Sequence, residues 1–217
     1  MLEAYELYLR QVRVNEDETG RPAEYPFTIP LFQHFQPLTF HKPLTFITGD
    51  NGTGKSTLIE AIAVGMGFNP EGGTRNFQFS TRETHSSLYQ ALTLAKGVRR
   101  CRDGFFFRAE SFYNVASEIE NIAAEDSRML TGYGGVSLHK MSHGESYLTL
   151  LRSRLSGHGF YIFDEPESAL SPTGQFAMLA IMNDLVQEDS QLVIATHSPI
   201  LLACPQAEIL EIQDDVL

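Results

Sequence analysis

The stretch FITGDNGTGKSTLIEAIA, residues 46–63, passes from an apolar strand through a turn with three glycines into an apolar helical pattern. Gly49-Asp50-Asn51-Gly52-Thr53-Gly54-Lys55-Ser56-Thr57 fits the spacing G-x-x-x-x-G-K-[ST]. Glycines there let the backbone take positive φ and turn its N–H groups toward an anion. The helix that follows adds its positive N-terminal end. Lys55 would reach the β and γ phosphates of a nucleoside triphosphate, and the Ser56 hydroxyl would face Mg²⁺.

Further along, FYIFDE (160–165) is an apolar run ending in two acids, the pattern of a buried parallel strand. Neighbouring strand residues point opposite ways, so the two carboxylates can take different tasks. Asp164 would hold the metal or its waters, and Glu165 would polarise an attacking water as general base. QLVIATHS (191–198) is a second buried strand, with His197 just past its end. MSHGES (141–146) precedes a helical stretch.

The rest of the chain is consistent with one α/β domain over residues 1–217, of which 42% are hydrophobic and 20% charged. No run approaches the roughly 18 apolar residues of a membrane span. The N-terminus lacks the basic start and apolar core of a signal peptide. Cys101 and Cys204 stand alone and read as buried thiols of a reduced, cytoplasmic protein. The net charge is −11, yet residues 155–217 hold ten Asp or Glu and no Lys or Arg. That C-terminal part would repel a phosphate backbone, which disfavours non-specific nucleic-acid binding. VRRCRDG (98–104) is the local exception, read as a solvated hairpin edge or a phosphate contact.

Residues 5–14 and 44–48 read as strands and Lys55 to about Met66 as helix. SSLYQALTLAKG (86–97) reads as a helix capped by Gly97. GFFFRAE (104–110) is a strand, YNVASEIENIAA (113–124) a short helix, and 145–155 a helix. SPTGQFAMLAIMNDLVQ (171–187) starts with Ser171 as N-cap and Pro172 at the first position. AEILEIQ (207–213) closes the chain's strands. Alternating strands and helices imply a parallel sheet with crossover helices.

MSHGES resembles the LSGGE signature of ATP-binding-cassette ATPases, with His143 in place of the first glycine. Taken with the phosphate loop, the acid pair and His197, the ordered set is similar to that family from about Leu44 to His197. GDNGTGKS, with Asn51, looks more like the SMC, RecF and repair branch than the transporters, and the text 67–83 and 133–146 resembles small bacterial AAA-family predicted ATPases. The resemblance implies a P-loop fold of ABC-ATPase type: a mostly parallel central sheet flanked by helices, with a small helical lobe at about 111–155. It implies ATP and Mg²⁺, with Ser56 and Asp164 at the metal. Ser142, His143, Gly144 and Glu145 would cap the ATP of a second copy, so that two ATPs lie in a head-to-tail homodimer. Ser168 and Ala169 would form the D-loop at that interface, and His197 would contact the γ-phosphate.

The family's Q-loop glutamine should follow GFFF, where this chain offers Glu110; Gln78 or Gln90 are alternatives, or Glu110 is a surface acid. Tyr8, Tyr25 and Phe27 are candidates to stack on adenine, each also readable as packing. The insertion at 67–87, with Arg75, Arg82, His85, Phe77 and Phe79, reads as a loop over the nucleotide or as a partner or nucleic-acid contact.

Three functions compete. One is an ATPase switch whose dimer closes on ATP and acts on an unidentified protein partner. The second is the ATPase subunit of a membrane transporter. The third is a nucleotide-binding regulatory module with little turnover. About 30 residues between Glu110 and Ser142 leave small room for a lobe that grips a membrane partner, and residues 58–141 show no heptads of a long coiled coil.

Overall fold

A computed structural model describes residues 1–15, 24–74, 86–109 and 143–213. Five parallel strands form the main sheet in the order β5-β6-β7-β3-β8. They are β3 (Leu44–Gly49), β5 (Asp103–Arg108), β6 (Gly159–Asp164), β7 (Gln191–Ala195) and β8 (Glu208–Ile212). The strand that feeds the phosphate loop therefore lies between β7 and β8, and β7 separates it from the strand carrying Asp164. All five strands end on the same edge, so the loops that follow β3, β5, β6 and β7 share one crevice, the usual ligand position in an open α/β sheet.

Period-2 alternation sorts the apolar side chains onto two faces. On β6, Phe160 and Ile162 join one core and Tyr161 and Phe163 the other. The first core packs under α2 (Lys55–Gly65), the second under α4 (His143–Arg154) and α5 (Pro172–Gln187). Phe107 stacks on Phe163 with ring centroids 4.9 Å apart and meets Tyr147 of α4 edge-on at 5.9 Å. Each such fully buried ring stabilises the fold by about 1.5–3 kcal/mol. Ser171 caps α5 as its sequence suggests, accepting the Gly174 N–H at 3.1 Å with Pro172 at the first position.

A second sheet of three antiparallel strands covers the α2 side: β2 (Leu38–Thr39), β1 (Leu9–Val14) and β4 (Leu92–Lys96). Gln191 at the start of β7 fastens the sheets together. Its side chain donates to Leu9 O at 2.8 Å and accepts Leu9 N–H at 2.9 Å.

Here the structure departs from the sequence reading. The expected helix over 86–97 is one turn, α3 (Leu88–Ala91), followed by β4. Leu92 and Leu94 alternate onto the core while Thr93 and Ala95 face out, and pairing with β1 outweighs the helical preference of Leu, Ala and Lys. Gly97 is not a helix cap. A Cβ there would lie 1.9 Å from Leu7 O, so the residue is small because two backbones touch. At the N-terminus, Ala4–Glu6 form a 3-10 turn and the strand starts only at Leu9. Residues 98–102 are not a hairpin, because β4 and β5 belong to different sheets; Arg99 there pairs with Glu6 and Asp189. Neither cysteine is in a disulfide, and both are partly buried.

Of the helical lobe expected at 111–155, α4 is described. The helix expected at 113–124 and Glu110, Ser142, Gln78, Arg75, Arg82, His85, Phe77 and Phe79 lie outside the described residues, as does the His143 side chain. Two further short helices, α1 (Pro30–Gln33) and α6 (Pro199–Leu202), border the crevice.

Candidate nucleotide site

β3 ends at Gly49, and the chain turns through Asp50–Thr53 into α2. Gly49, Gly52 and Gly54 take φ of +146°, +83° and +101°, values that favour glycine. Gly54 also lies under α1 and its approach, where a Cβ would come within 3.1 Å of Ile29 and Phe32. It is the N-cap of α2, and no side chain caps that turn. The first-turn amides and the positive end of the helix dipole therefore face the crevice without a competing carboxylate cap.

Lys55 is buried. Its ammonium donates to Gly49 O at 2.8 Å and Asp50 O at 2.7 Å, so the side chain lies back over the loop. Burial lowers its pKa from the usual lysine value, and the charges of Glu165, Asp164, Asp50 and Glu167 oppose that shift. Thr53 closes the turn by donating its hydroxyl to Asp50 O at 2.9 Å.

Across the crevice, Ser56 Oγ donates to Asp164 Oδ1 at 2.9 Å. This joins the loop strand to the acid strand through side chains, although β7 lies between them. Asp164 is buried, and its second oxygen lies 3.5 Å from Arg108 Nε. Arg108 stands opposite Asp164 in the β5–β6 register. It also donates to Glu60 Oε2 at 2.6 Å, while Glu60 Oε1 accepts the Ser86 N–H at 2.9 Å. The partly buried chain Ser56–Asp164–Arg108–Glu60 was absent from the sequence reading. Its one visible signal is Glu60 itself, an acid inside the apolar helical run LIEAIA.

Glu165 is not a strand residue. It has left-handed backbone geometry, φ 47° and ψ 54°, just past β6. The turn redirects its half-exposed carboxylate toward β7, where Oε1 lies 3.6 Å from His197 Nε2. Its N–H donates to Ala195 O at 3.0 Å. Phosphate loop, Asp164, Glu165 and His197 thus meet at the ends of three adjacent strands.

Of the remaining candidates, Ser168 is exposed and its hydroxyl donates to Glu165 O at 2.8 Å, while Ala169 is buried in the core below. A Cβ on Gly144, at the start of α4, would be 3.2 Å from Ala169 O, so that helix start abuts the 3-10 turn Pro166–Ala169. Glu145 next to it is exposed. Gln90 lies on the surface, donating to Tyr89 OH at 3.1 Å. Tyr8 and Phe27 are buried; Tyr25 is 60% exposed, with its hydroxyl 3.2 Å from Thr57 Oγ1.

The hard oxygens of Ser56 and Asp164 suit Mg²⁺, an ion that keeps several waters and takes further oxygens from phosphate. No group of three or more His, Cys, Asp or Glu that could hold a metal occurs among the described residues.

Comparison with known proteins agrees with this chemistry. A family model described as "AAA domain" matches residues 29–127, and one described as "AAA domain, putative AbiEii toxin, Type IV TA system" matches residues 127–203. The macrolide export ATP-binding/permease protein of Hahella chejuensis is 28% identical over 193 residues, 77% of this chain and 28% of that protein. The chain therefore spans under a third of that relative's length. The cytochrome c biogenesis ATP-binding export protein of Aliivibrio fischeri is 28% identical over 165 residues, 72% of this chain and 79% of that one. Among solved structures, the SMC head domain from Thermotoga maritima aligns over 97% of each chain, with 14% identity and a TM-score of 0.48. Together these comparisons support a P-loop ATPase of the ABC/AAA type.

Proposed function

We propose that this chain binds Mg-ATP at the β3–α2 loop, hydrolyses it with Glu165 as general base, and closes as a head-to-tail homodimer around two ATPs to drive a change in a protein partner. The observation that carries the reading is the convergence of Ser56–Asp164 with Glu165–His197 at one sheet edge.

In this reading the uncapped first turn of α2 and the loop amides hold the phosphates. Lys55 leaves its two loop carbonyls for the β and γ oxygens, whose negative charge offsets the burial that disfavours its ammonium. Ser56 and Asp164 would hold Mg²⁺, which supplies charge neutralisation at the phosphate oxygens. Glu165 accepts a proton from the attacking water, and His197 orients that carboxylate while facing the γ-phosphate. Tyr25, exposed beside Thr57, is the aromatic best placed to meet the base.

Gly144 and Glu145 would present the signature edge, with Ser142 and His143, to the ATP of the second copy. The contact between Gly144 and the turn after Glu165 supports a link between that edge and hydrolysis. The D-loop role would fall on exposed Ser168 and the backbone of Ala169. The test is light-scattering mass of Glu165→Gln with and without Mg-ATP. A change from one chain mass to two supports the sandwich. A single-chain mass with ATP bound would favour a regulatory module awaiting a partner.

A second reading, the ATP-binding subunit of an export system, is consistent with the names of the relatives above. Among the described residues no helix is long and apolar enough to cross a membrane. Co-purification with a membrane-spanning partner, and ATP turnover that depends on it, would select that reading.

A further inference from the structure

The turn Pro166–Ala169 carries a third acid, Glu167, that neither the phosphate loop nor the metal pair uses. Its Oε1 accepts the backbone N–H of His197 at 2.6 Å, a short, charge-assisted bond between segments 30 residues apart. Glu165, two residues earlier, lies 3.6 Å from the same histidine's ring. One turn thus holds His197 twice, by backbone through Glu167 and by side chain through Glu165.

Everything around His197 is fixed from below. Thr196 is buried and its hydroxyl accepts the Ser198 N–H at 3.0 Å. Ser198 Oγ accepts from Ile200 N–H and Leu201 N–H and donates to Gln175 on α5. The His197 N–H is left pointing toward the turn, and Glu167 is what takes it. The second oxygen of Glu167 is buried and accepts no hydrogen bond from the described residues. A buried carboxylate oxygen without a donor is a cost, and natural folds retain such groups where they serve something other than stability.

We infer that Glu167 is a positioning residue for hydrolysis. It clamps the end of β7 so that the His197 ring stays at the Glu165 carboxylate as the γ-phosphate arrives. The inference rests on the proposed roles of Glu165 and His197. It is a claim about reach rather than charge: Oε1 must extend from the turn to the His197 N–H.

The experiment compares ATP turnover of the full chain with Glu167→Asp, Glu167→Gln and Glu167→Ala, alone and combined with His197→Ala. Asp keeps the charge and is one methylene short; Gln keeps the acceptor and loses the charge. The expected result is a kcat roughly 10- to 100-fold lower for Asp and Ala, with KM for ATP little changed and Gln within about twofold of wild type. Adding Glu167→Ala to His197→Ala should then lower kcat no further, because the clamp has nothing left to hold. An active Asp variant beside an inactive Gln variant would overturn the inference, since charge would then be what matters. Losses that multiply in the double variant would also overturn it. If His197→Ala alone leaves kcat unchanged, the failure belongs to the proposed site and not to the clamp alone.

Discussion

Ser56 Oγ lies 2.9 Å from Asp164 Oδ1, although 108 residues separate them and a strand runs between their own strands. The bond fixes the relative placement of the two residues proposed to hold Mg²⁺. Ser56→Ala and Asp164→Asn should therefore each lower Mg²⁺-dependent ATP hydrolysis, on the order of 100-fold. Binding of a fluorescent ATP analogue in EDTA should change by no more than about twofold. Titrations with and without Mg²⁺ check the separation.

Lys55 should carry nucleotide affinity itself. For a ligand that binds only the folded state, 100-fold excess over Kd stabilises by about 2.7 kcal/mol. Wild-type protein should show a rise in melting temperature with Mg-ATP that Lys55→Ala lacks. Without nucleotide, removal of a buried ammonium should leave the melting temperature equal to or above that of wild type.

Arg108 pairs with Glu60 and Asp164, and its loss removes a counter-charge from both. Breaking a buried pair by removing one partner costs about 3–5 kcal/mol; with Arg108 one-fifth exposed, a loss of about 2–4 is expected for Arg108→Met. The double variant Glu60→Gln, Arg108→Met should be less destabilised than the sum of the singles. Urea unfolding of the four proteins measures the coupling.

At the opposite end of the sheet, Asp103 accepts from Arg154 and from Tyr161 OH, each at 2.9 Å. Burial pushes its carboxyl up, but the Arg154 hydrogen bond and charge and the Tyr161 bond outweigh this and hold it below the usual carboxylate range. A folded pKa below the unfolded one contributes stability that is full above the unfolded value and is lost as pH falls through the folded one. The wild type should lose this contribution on acidification below about pH 4. Asp103→Asn should be less stable at neutral pH and flatter over that acid range, which urea midpoints at stepped pH will show.

The phosphate loop, the acid pair and the five parallel strands were legible because each rests on local chemistry. Glycines at positive φ, an apolar run ending in acids, and Ser171-Pro172 opening a helix all declare themselves within a few residues. β4 was misread because LTLAK satisfies a helix as well as a strand, and only the distant partner β1 decides between them. Arg108 and Glu167 were passed over for the same reason. Their importance lies in contacts with Asp164 and His197, 56 and 30 residues away in the chain. The direction of Glu165 depended on its left-handed backbone, whereas strand alternation alone suggested a different geometry.

The most direct measurement is single-turnover hydrolysis of bound ATP by wild type and Glu165→Gln, with nucleotide affinity measured on the same samples. If Glu165 is the base, affinity stays within about threefold and the hydrolytic rate falls by roughly 100-fold or more. A Glu165→Gln protein that hydrolyses at close to the wild-type rate would contradict the assignment and leave the carboxylate facing His197 without a catalytic role.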